Sequence, residues 1–299
     1  MQPRIVVPLD GSAFGKRALP LALALARRSG ASIELVHVHE PPMVASGAPP
    51  FDARFDDEER ARMRTELLAL AKQLVMETGL AVTARFLNGE VVPSLRQYIA
   101  SSDASLVVMM THGRGGLSRI WLGSVADGLI RVSPAPVLLV RGGSEWPSEL
   151  REPIFRRVLV PLDGSDMAVE ILPHVLSLAT PNETTLVLFS VIDPRLALQP
   201  TAVDVRFESQ RIETLVESVR RVTEERLTRL ADELRVNRVD VSLDVVVDAQ
   251  PAQRILTDAE ERQIDLIALA THSRRALGRF LIGGTADKVI RGAHVPVLV

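Results

Sequence analysis

Two short stretches hold residues whose types and spacing suit the binding of phosphate. Gly123-Ser124 opens a helical stretch, and Gly113 stands before it with nine residues between. A glycine lets the backbone come close to a phosphate and present its N–H groups as donors. The start of a helix adds unpaired N–H groups and a dipole that favours an anion. Ser124 brings a hydroxyl and also suits an N-cap. Arg114 and Arg119 can add positive charge. Asp10, in the stretch VPLDGS, suits a hydrogen bond from a ribose hydroxyl or the holding of a magnesium ion. Each feature also has a plainer reading. The glycines at 113, 115 and 116 can make a flexible loop, Ser124 can be only a cap, and Asp10-Gly11-Ser12 can be a turn without a ligand. Arg114 and Arg119 can be solvated. His112 and His272 read as loop hydrogen-bonders, because no cluster of His, Asp or Glu at ligand spacing surrounds them.

These stretches must be positioned by something, and the chain supplies it twice. VPLDGS runs from Val7 to Ser12 and again from Val160 to Ser165. THGRGGLSRIWLGSVADGLIRVSPAPVLLV, from Thr111, aligns with THSRRALGRFLIGGTADKVIRGAHVPVLV, from Thr271. The offset is 153 residues between Asp10 and Asp163 and 160 between Asp127 and Asp287, so seven residues are added inside the second copy. The chain is an internal repeat. The reading places the domains at 1–141 and 157–299 with a linker at 142–156, where glycines, prolines and mixed charge interrupt the pattern.

Within each copy, short β-rich runs alternate with helical periods. RIVVPL, SIELVHV, AVTARFL, SLVVMM and APVLLV are the runs of the first copy; RRVLVPL, TTLVLFSVI, VDVSLDVVV, DLIALA and VPVLV are those of the second. Between them, Ala18, Leu21, Ala22, Leu25 and Ala26 lie on one helical face, and Gly30 ends that helix. Glu58 to Thr78 reads as a second helix, ended by Gly79. Its counterpart, Phe207 to Leu234, carries Ile212, Leu215, Val216, Val219, Val222, Leu227, Leu230 and Leu234 on one stripe, expected to be buried. The added seven residues are about two turns and fall in or just before that helix. Strand and helix in alternation predict α/β units, each an open parallel five-stranded sheet with helices on both faces. In such a sheet the binding crevice lies beyond the carboxyl ends of the strands, where their order reverses. VPLDGS and the loop after SLVVMM both leave strands at that end. They flank one crevice if the first and fourth strands are neighbours.

Composition narrows the classes. The chain has 299 residues, 46% hydrophobic and 24% charged, enough for two cores. A net charge of −2 offers no basic field to nucleic acid or an anionic membrane. There are no cysteines, which removes disulfides, thiolate metal sites and cysteine nucleophiles and fits a reducing cytoplasm. LPLALALA, from Leu19, is far short of a membrane span, and a strand pattern before it argues against a signal peptide.

VPLDGS, the His37-Val38 pair of LVHVH and MMTHGRGGLSRIWLGSVAD resemble the universal stress protein family, and the two copies together resemble a tandem member. The resemblance implies a Rossmann-like fold of the adenine nucleotide alpha-hydrolase-like kind, and a role in stress response. Several members bind ATP and others do not. The binding pattern is Gly, two residues, Gly, nine residues, then Gly with Ser or Thr. The first copy matches at Gly113, Gly123 and Ser124 but has Met110 at the first glycine. The second reads Ala270, Ser273, Gly283 and Gly284, with Thr285 one place later. By resemblance, adenine meets the backbone at Val38, and Pro8, Asp10, Met109, Met110, Gly113, Arg114, Gly123, Ser124 and Val125 surround the nucleotide, with Mg at Asp10. In the second copy the corresponding and weaker set is Asp163, Val191, Gly283, Gly284 and Thr285. The implied ligand is ATP, with ADP or AMP as alternatives. The family also implies pairing of the two copies through their last strands as an internal pseudo-dimer, and dimers of whole chains.

An enzyme reading lacks parts. No G-x-x-x-x-G-K-[ST] loop and no G-x-S-x-G elbow occurs, and no carboxylate pair or histidine motif is assignable to proton transfer. A slow ATPase and a scaffold without nucleotide stand as the alternatives.

Overall fold

The computed structural model describes residues 2–41, 53–111, 122–142, 154–197, 205–270 and 283–299. The chain divides into two compact units, Met1–Leu150 and Arg151–Val299. In the first, the elements in chain order are β1 (Arg4–Pro8), α1 (Leu19–Ser29), β2 (Ser32–His39), α2 (Ala53–Thr78), β3 (Val82–Asn88), α3 (Val91–Ser101), β4 (Ala104–Met110), α4 (Ser124–Val132) and β5 (Val137–Val140). The strands lie in the order β3-β2-β1-β4-β5, all parallel. The chain walks outward from β1 to β3, then crosses back to lay β4 against the other side of β1. Right-handed crossovers therefore put α1 and α2 on one face and α3 and α4 on the other.

The apolar spacing seen in the sequence is what packs. Ala18, Leu21, Ala22, Leu25 and Ala26 are all within 1% of complete burial. Gly30 closes α1 at φ 66, where a left-handed cap needs no Cβ, and Gly79 follows α2 at φ 71. Leu129, fully buried, holds α4 down, and Gly128 lets α4 approach α3 so closely that a Cβ there would stand 2.8 Å from Val92.

The second unit repeats the plan with β6 (Arg157–Pro161), α5 (Asp166–Val169), α6 (Leu172–Leu178), β7 (Thr185–Ile192), α7 (Val205–Arg235), β8 (Asp240–Val247), α8 (Pro251–Glu261), β9 (Leu266–Ala268), α9 (Gly284–Gly292) and β10 (Val297–Leu298). Its order is β8-β7-β6-β9-β10, again parallel. Ile154 and Phe155, ahead of Arg157, are buried: Phe155 is fully so, and its carbonyl accepts from the Thr184 hydroxyl at 2.8 Å.

One expectation is corrected here. The stripe on α7 does not bury along its length. Leu227, Ala231 and Leu234 are buried, matching Leu67, Ala71 and Leu74 of α2, but Leu215, Val219 and Val222 are 47%, 41% and 59% exposed. The helix has 31 residues against 26 in α2, and its amino-terminal half runs past the sheet that would cover it. A 3.6-residue period shows which face is apolar and not where the partner surface ends.

Replacing Leu129 by Ala removes a fully buried side chain from under α4 and should cost about 2–5 kcal/mol in urea denaturation.

Candidate functional site

β1 and β4 pair directly, so the two motif-bearing loops of the first unit leave adjacent strands. The registers Pro8↔Val36, Val6↔Val107 and Met109↔Leu139 then sort the side chains by face. They continue past the strand ends, where Leu9 N–H donates to the Val36 carbonyl at 2.8 Å and Thr111 N–H to the Val140 carbonyl at 3.0 Å. Pro8, Asp10, Val38, Met109, Thr111 and Arg141 fall on the α3–α4 face. Met110 falls with Leu9 and His37 on the other. The side chain that replaces the first glycine of the pattern thus belongs to the face away from the crevice.

The Asp10 carboxylate organises the turn after β1. Its Oδ1 accepts from Ser12 N–H at 2.9 Å and from the Ser12 hydroxyl at 2.6 Å, and Ser12 Oγ accepts from Gly15 N–H at 3.0 Å. Gly11 sits at φ 81, and a Cβ on Gly15 would stand 2.7 Å from Asp10 Oδ1. The second unit builds the same turn. Asp163 Oδ1 accepts from Ser165 N–H at 2.9 Å, and Ser165 Oγ caps α5 by accepting from Ala168 N–H at 3.1 Å. The repeated DGS is therefore a hydrogen-bonded turn in both units, whatever else Asp10 does.

At the other loop, the N-cap of α4 is Gly123, in extended conformation at φ −60 and ψ 150, which has no side chain to cap the helix. Ser124 is the first helical residue and is exposed, so its hydroxyl is not the cap the sequence suggested. Gly123 N–H donates to the Thr111 carbonyl at 2.7 Å, which ties the helix start to the end of β4. Pro8, Asp10, Val38 and Val125 are half-buried around this end, and Met109 is buried. α4 is further braced by a two-pronged Asp127–Arg131 pair at 3.0 and 3.1 Å, and α9 by Asp287–Arg291 at 3.0 and 3.1 Å. This explains the recurrent Ala-Asp and Ile-Arg of the two copies.

Sequence reasoning passed over three residues. Arg141, assigned only as the last residue before the linker, is 5% exposed, and among the described residues its Nε, Nη1 and Nη2 have no hydrogen-bond partner. Burial lowers its guanidinium to about 10. The folded state thus holds that proton less tightly than the unfolded chain, a penalty present below pH 10 and relieved only above it. The signal was an arginine following directly on the buried run VLLV. His39 and Asp56 are the others: His39 Nε2 lies 2.8 Å from Asp56 Oδ1 and ties β2 to the first turns of α2. His37 donates Nδ1–H to the Leu9 carbonyl at 2.7 Å. On that same face a pocket is lined by Leu9, Gly11, Lys16, His37, Met63, Glu66, Leu67 and Leu70. In the second unit the position of Glu66 is taken by Arg226, which reaches the Gly164 carbonyl and, at 2.7 Å, Asp166.

In the second unit Asp163 is exposed and Val191 half-buried. Gly283 is the N-cap of α9 at φ −57 and ψ 144, Gly284 is its first residue, and Thr285 is exposed. Thr111 and Ala270 end the described segments, so Gly113, Arg114, Arg119, His112, His272 and Ser273 lie outside the described residues, as does most of the linker. Among the described residues no three His, Asp or Glu side chains gather at metal-binding distance, and no helix is long and apolar enough to cross a membrane.

The fold defines a tandem, Rossmann-like α/β protein in which the strand order reverses between β1 and β4 and again between β6 and β9. The universal stress protein family profile matches residues 1–141 and 154–299, and the chain belongs to that family. It is similar along its length to a universal stress protein of Mycolicibacterium smegmatis, 29% identical over 302 residues and covering 99% of this chain and 96% of that one. A universal stress protein of Mycobacterium tuberculosis is 26% identical over 307 residues, covering 100% and 97%. One from Thermus aquaticus is 35% identical over 140 residues, covering 46% of this chain and 97% of its own. A solved universal stress protein of Archaeoglobus fulgidus shares the fold, with a TM-score of 0.71 at 19% identity over 99% of this chain and 97% of that one.

Ser12→Ala removes the hydroxyl that links Asp10 to Gly15 and should lower stability by about 0.5–2 kcal/mol, read from chemical denaturation.

Proposed function

We propose that the first unit binds an adenine nucleotide, ATP or its lower phosphates, and that the protein acts as a nucleotide-responsive regulator in the stress response rather than through strong catalysis. One observation carries this reading. The β1–β4 pairing brings the Asp10 turn and the uncapped start of α4 to one crevice. The N–H groups and dipole at the start of α4 would favour a phosphate there. Pro8 and Val38 offer a half-buried apolar wall for a base, as the family resemblance implies, with Asp10 within the same end for ribose or magnesium. Magnesium would then be held by Asp10 together with phosphate oxygens and water. The absence of a membrane-spanning helix among the described residues and of cysteines from the chain supports a cytoplasmic setting.

The two units are unequal in this reading. Both lack the first glycine of the pattern, so Met110 and Ala270 do not separate them. The second has Ser273 for Gly113, and Gly284 where the first has the Ser124 hydroxyl. Losing a hydrogen bond to a charged group costs about 1.5–3 kcal/mol, roughly tenfold or more in affinity per bond. Calorimetric titration with Mg-ATP is expected to show about one tight site per chain. Gly123→Val, which puts a side chain in the phosphate path, abolishes it, while Gly283→Val changes little. Two equal sites, or loss only in Gly283→Val, would sink the assignment. No bound nucleotide at all would favour a scaffold, and turnover would favour an enzyme.

We also infer from the repeat that the two copies pair through their last strands. The chain has no cysteine of its own. One engineered cysteine in Val137–Val140 and one in Val297–Leu298 should crosslink within a chain on oxidation; failure across a scan of such pairs refutes the pairing. Sedimentation of the wild type then reads whether whole chains dimerise.

A further inference from the structure

We propose that Arg141 is an anion anchor of the first unit, placed to bind a chain of phosphates: the polyphosphate of a nucleotide or a free inorganic one. The position begins with the sequence. Arg141 follows immediately on β5, whose four residues are all buried. Its backbone is held from both sides. The Val140 carbonyl accepts from Thr111 N–H, and the Gly142 carbonyl accepts from Arg17 Nη1 at 3.1 Å. The Phe14 ring lies against Gly142, with Cζ 2.7 Å from where a Cβ would stand. The arginine is thus carried on a fixed stem.

Its guanidinium is the exception among the described buried charges. Glu34, 5% exposed, pairs with Arg4 at 3.1 Å, and Asp258, 1% exposed, pairs with Arg254 at 2.6 Å and Arg262 at 3.1 Å. Arg141 is as deeply buried, and among the described residues none of its three nitrogens has a hydrogen-bond partner. Taking a guanidinium out of water without a partner is strongly unfavourable, and buried polar groups left so call for an explanation. A second feature needs the same one. The register places Arg141 on the crevice face beside Thr111, and the Thr111 carbonyl accepts Gly123 N–H at 2.7 Å. In the backbone ladder Thr111 therefore lies between Arg141 and Gly123, the N-cap of α4. An anion seated between them satisfies both.

The chemistry favours phosphate. The five N–H donors of a guanidinium form a planar fork that matches phosphate oxygens in pairs, and the helix start supplies further donors. A nucleoside on the Pro8–Val38 side has no group for that fork, so Arg141 discriminates by the number of phosphates. The nucleotide arm of this inference rests on the reading of the crevice given above; the anion arm stands without it.

Thermal melting with sodium tripolyphosphate and titration with Mg-ATP and adenosine test it on the full chain, comparing wild type, Arg141→Gln and Arg141→Lys. Tripolyphosphate should raise the melting temperature of the wild type, not that of Arg141→Gln, and should partly stabilise Arg141→Lys. ATP should bind Arg141→Gln about tenfold or more weakly, with adenosine unchanged. Without ligand, Arg141→Gln should be at least as stable as the wild type, since it removes an unpartnered charge. Equal stabilisation of wild type and Arg141→Gln, equal weakening of ATP and adenosine, or a clear loss of ligand-free stability in Arg141→Gln overturns the inference. Tripolyphosphate acting through Arg141 without nucleotide binding keeps the anion site and rejects the nucleotide; ATP bound equally by wild type and Arg141→Gln does the reverse.

Discussion

The parallel pairing of β1 with β4 is the constraint on which the rest of each unit depends. The chain lays three strands outward and then has to return across the sheet, because only the open side of β1 remains for pairing. That return splits the helices between two faces and leaves the ends of β1 and β4 side by side with loops departing in different directions. The crevice follows from this connectivity. The carboxyl ends of parallel strands point the same way, so within the first unit the loops that follow β1 and β4 leave from the same end of the sheet. The register then decides which side chains face the crevice, down to the separation of Met109 from Met110.

The polar groups at this edge divide by how well they are matched. The Asp10 turn is closed on itself through Ser12, Gly11 and Gly15, and its copy at Asp163 is closed in the same way. The helix pairs Asp127–Arg131 and Asp287–Arg291 brace the helices that begin at the glycines. These are interactions that complete the fold. The start of α4 and the guanidinium of Arg141 are different, because both keep donors that no protein atom among the described residues accepts.

Duplication has preserved the frame and allowed the details to diverge. Both units keep strand order, the DGS turn and the glycine N-cap before the fourth strand's helix. They differ on the faces away from the sheet. α7 is longer than α2 and presents Leu215, Val219 and Val222 to solvent. Where Glu66 lines a pocket in the first unit, Arg226 reaches into the turn of the second. Packing against the sheet limits change on one side of each helix, and water limits it far less on the other.

Much of this was legible in the residues alone, because the relevant physics is local. Apolar runs of five to eight residues and a 3.6-residue period specify strands and helices without reference to distant parts of the chain. Gly30 and Gly79 mark helix ends because a left-handed cap disfavours any Cβ. The repeat showed two copies of one unit, and Phe155, at the end of the stretch read as linker, is buried. What depended on non-local neighbours was not legible. Whether Ser124 caps its helix depends on where the helix starts by one residue, and whether Leu215 is buried depends on how far the sheet extends. Arg141 read as the edge of a linker, since nothing in a sequence shows that a charged residue is surrounded. Its burial belongs to the folded chain and not to its neighbours in sequence. The sequence by itself determined the elements and their repetition, through local backbone and side-chain preferences. Only the tertiary structure decided which of their charged groups would be left without water or a partner, because desolvation is a property of neighbours distant along the chain.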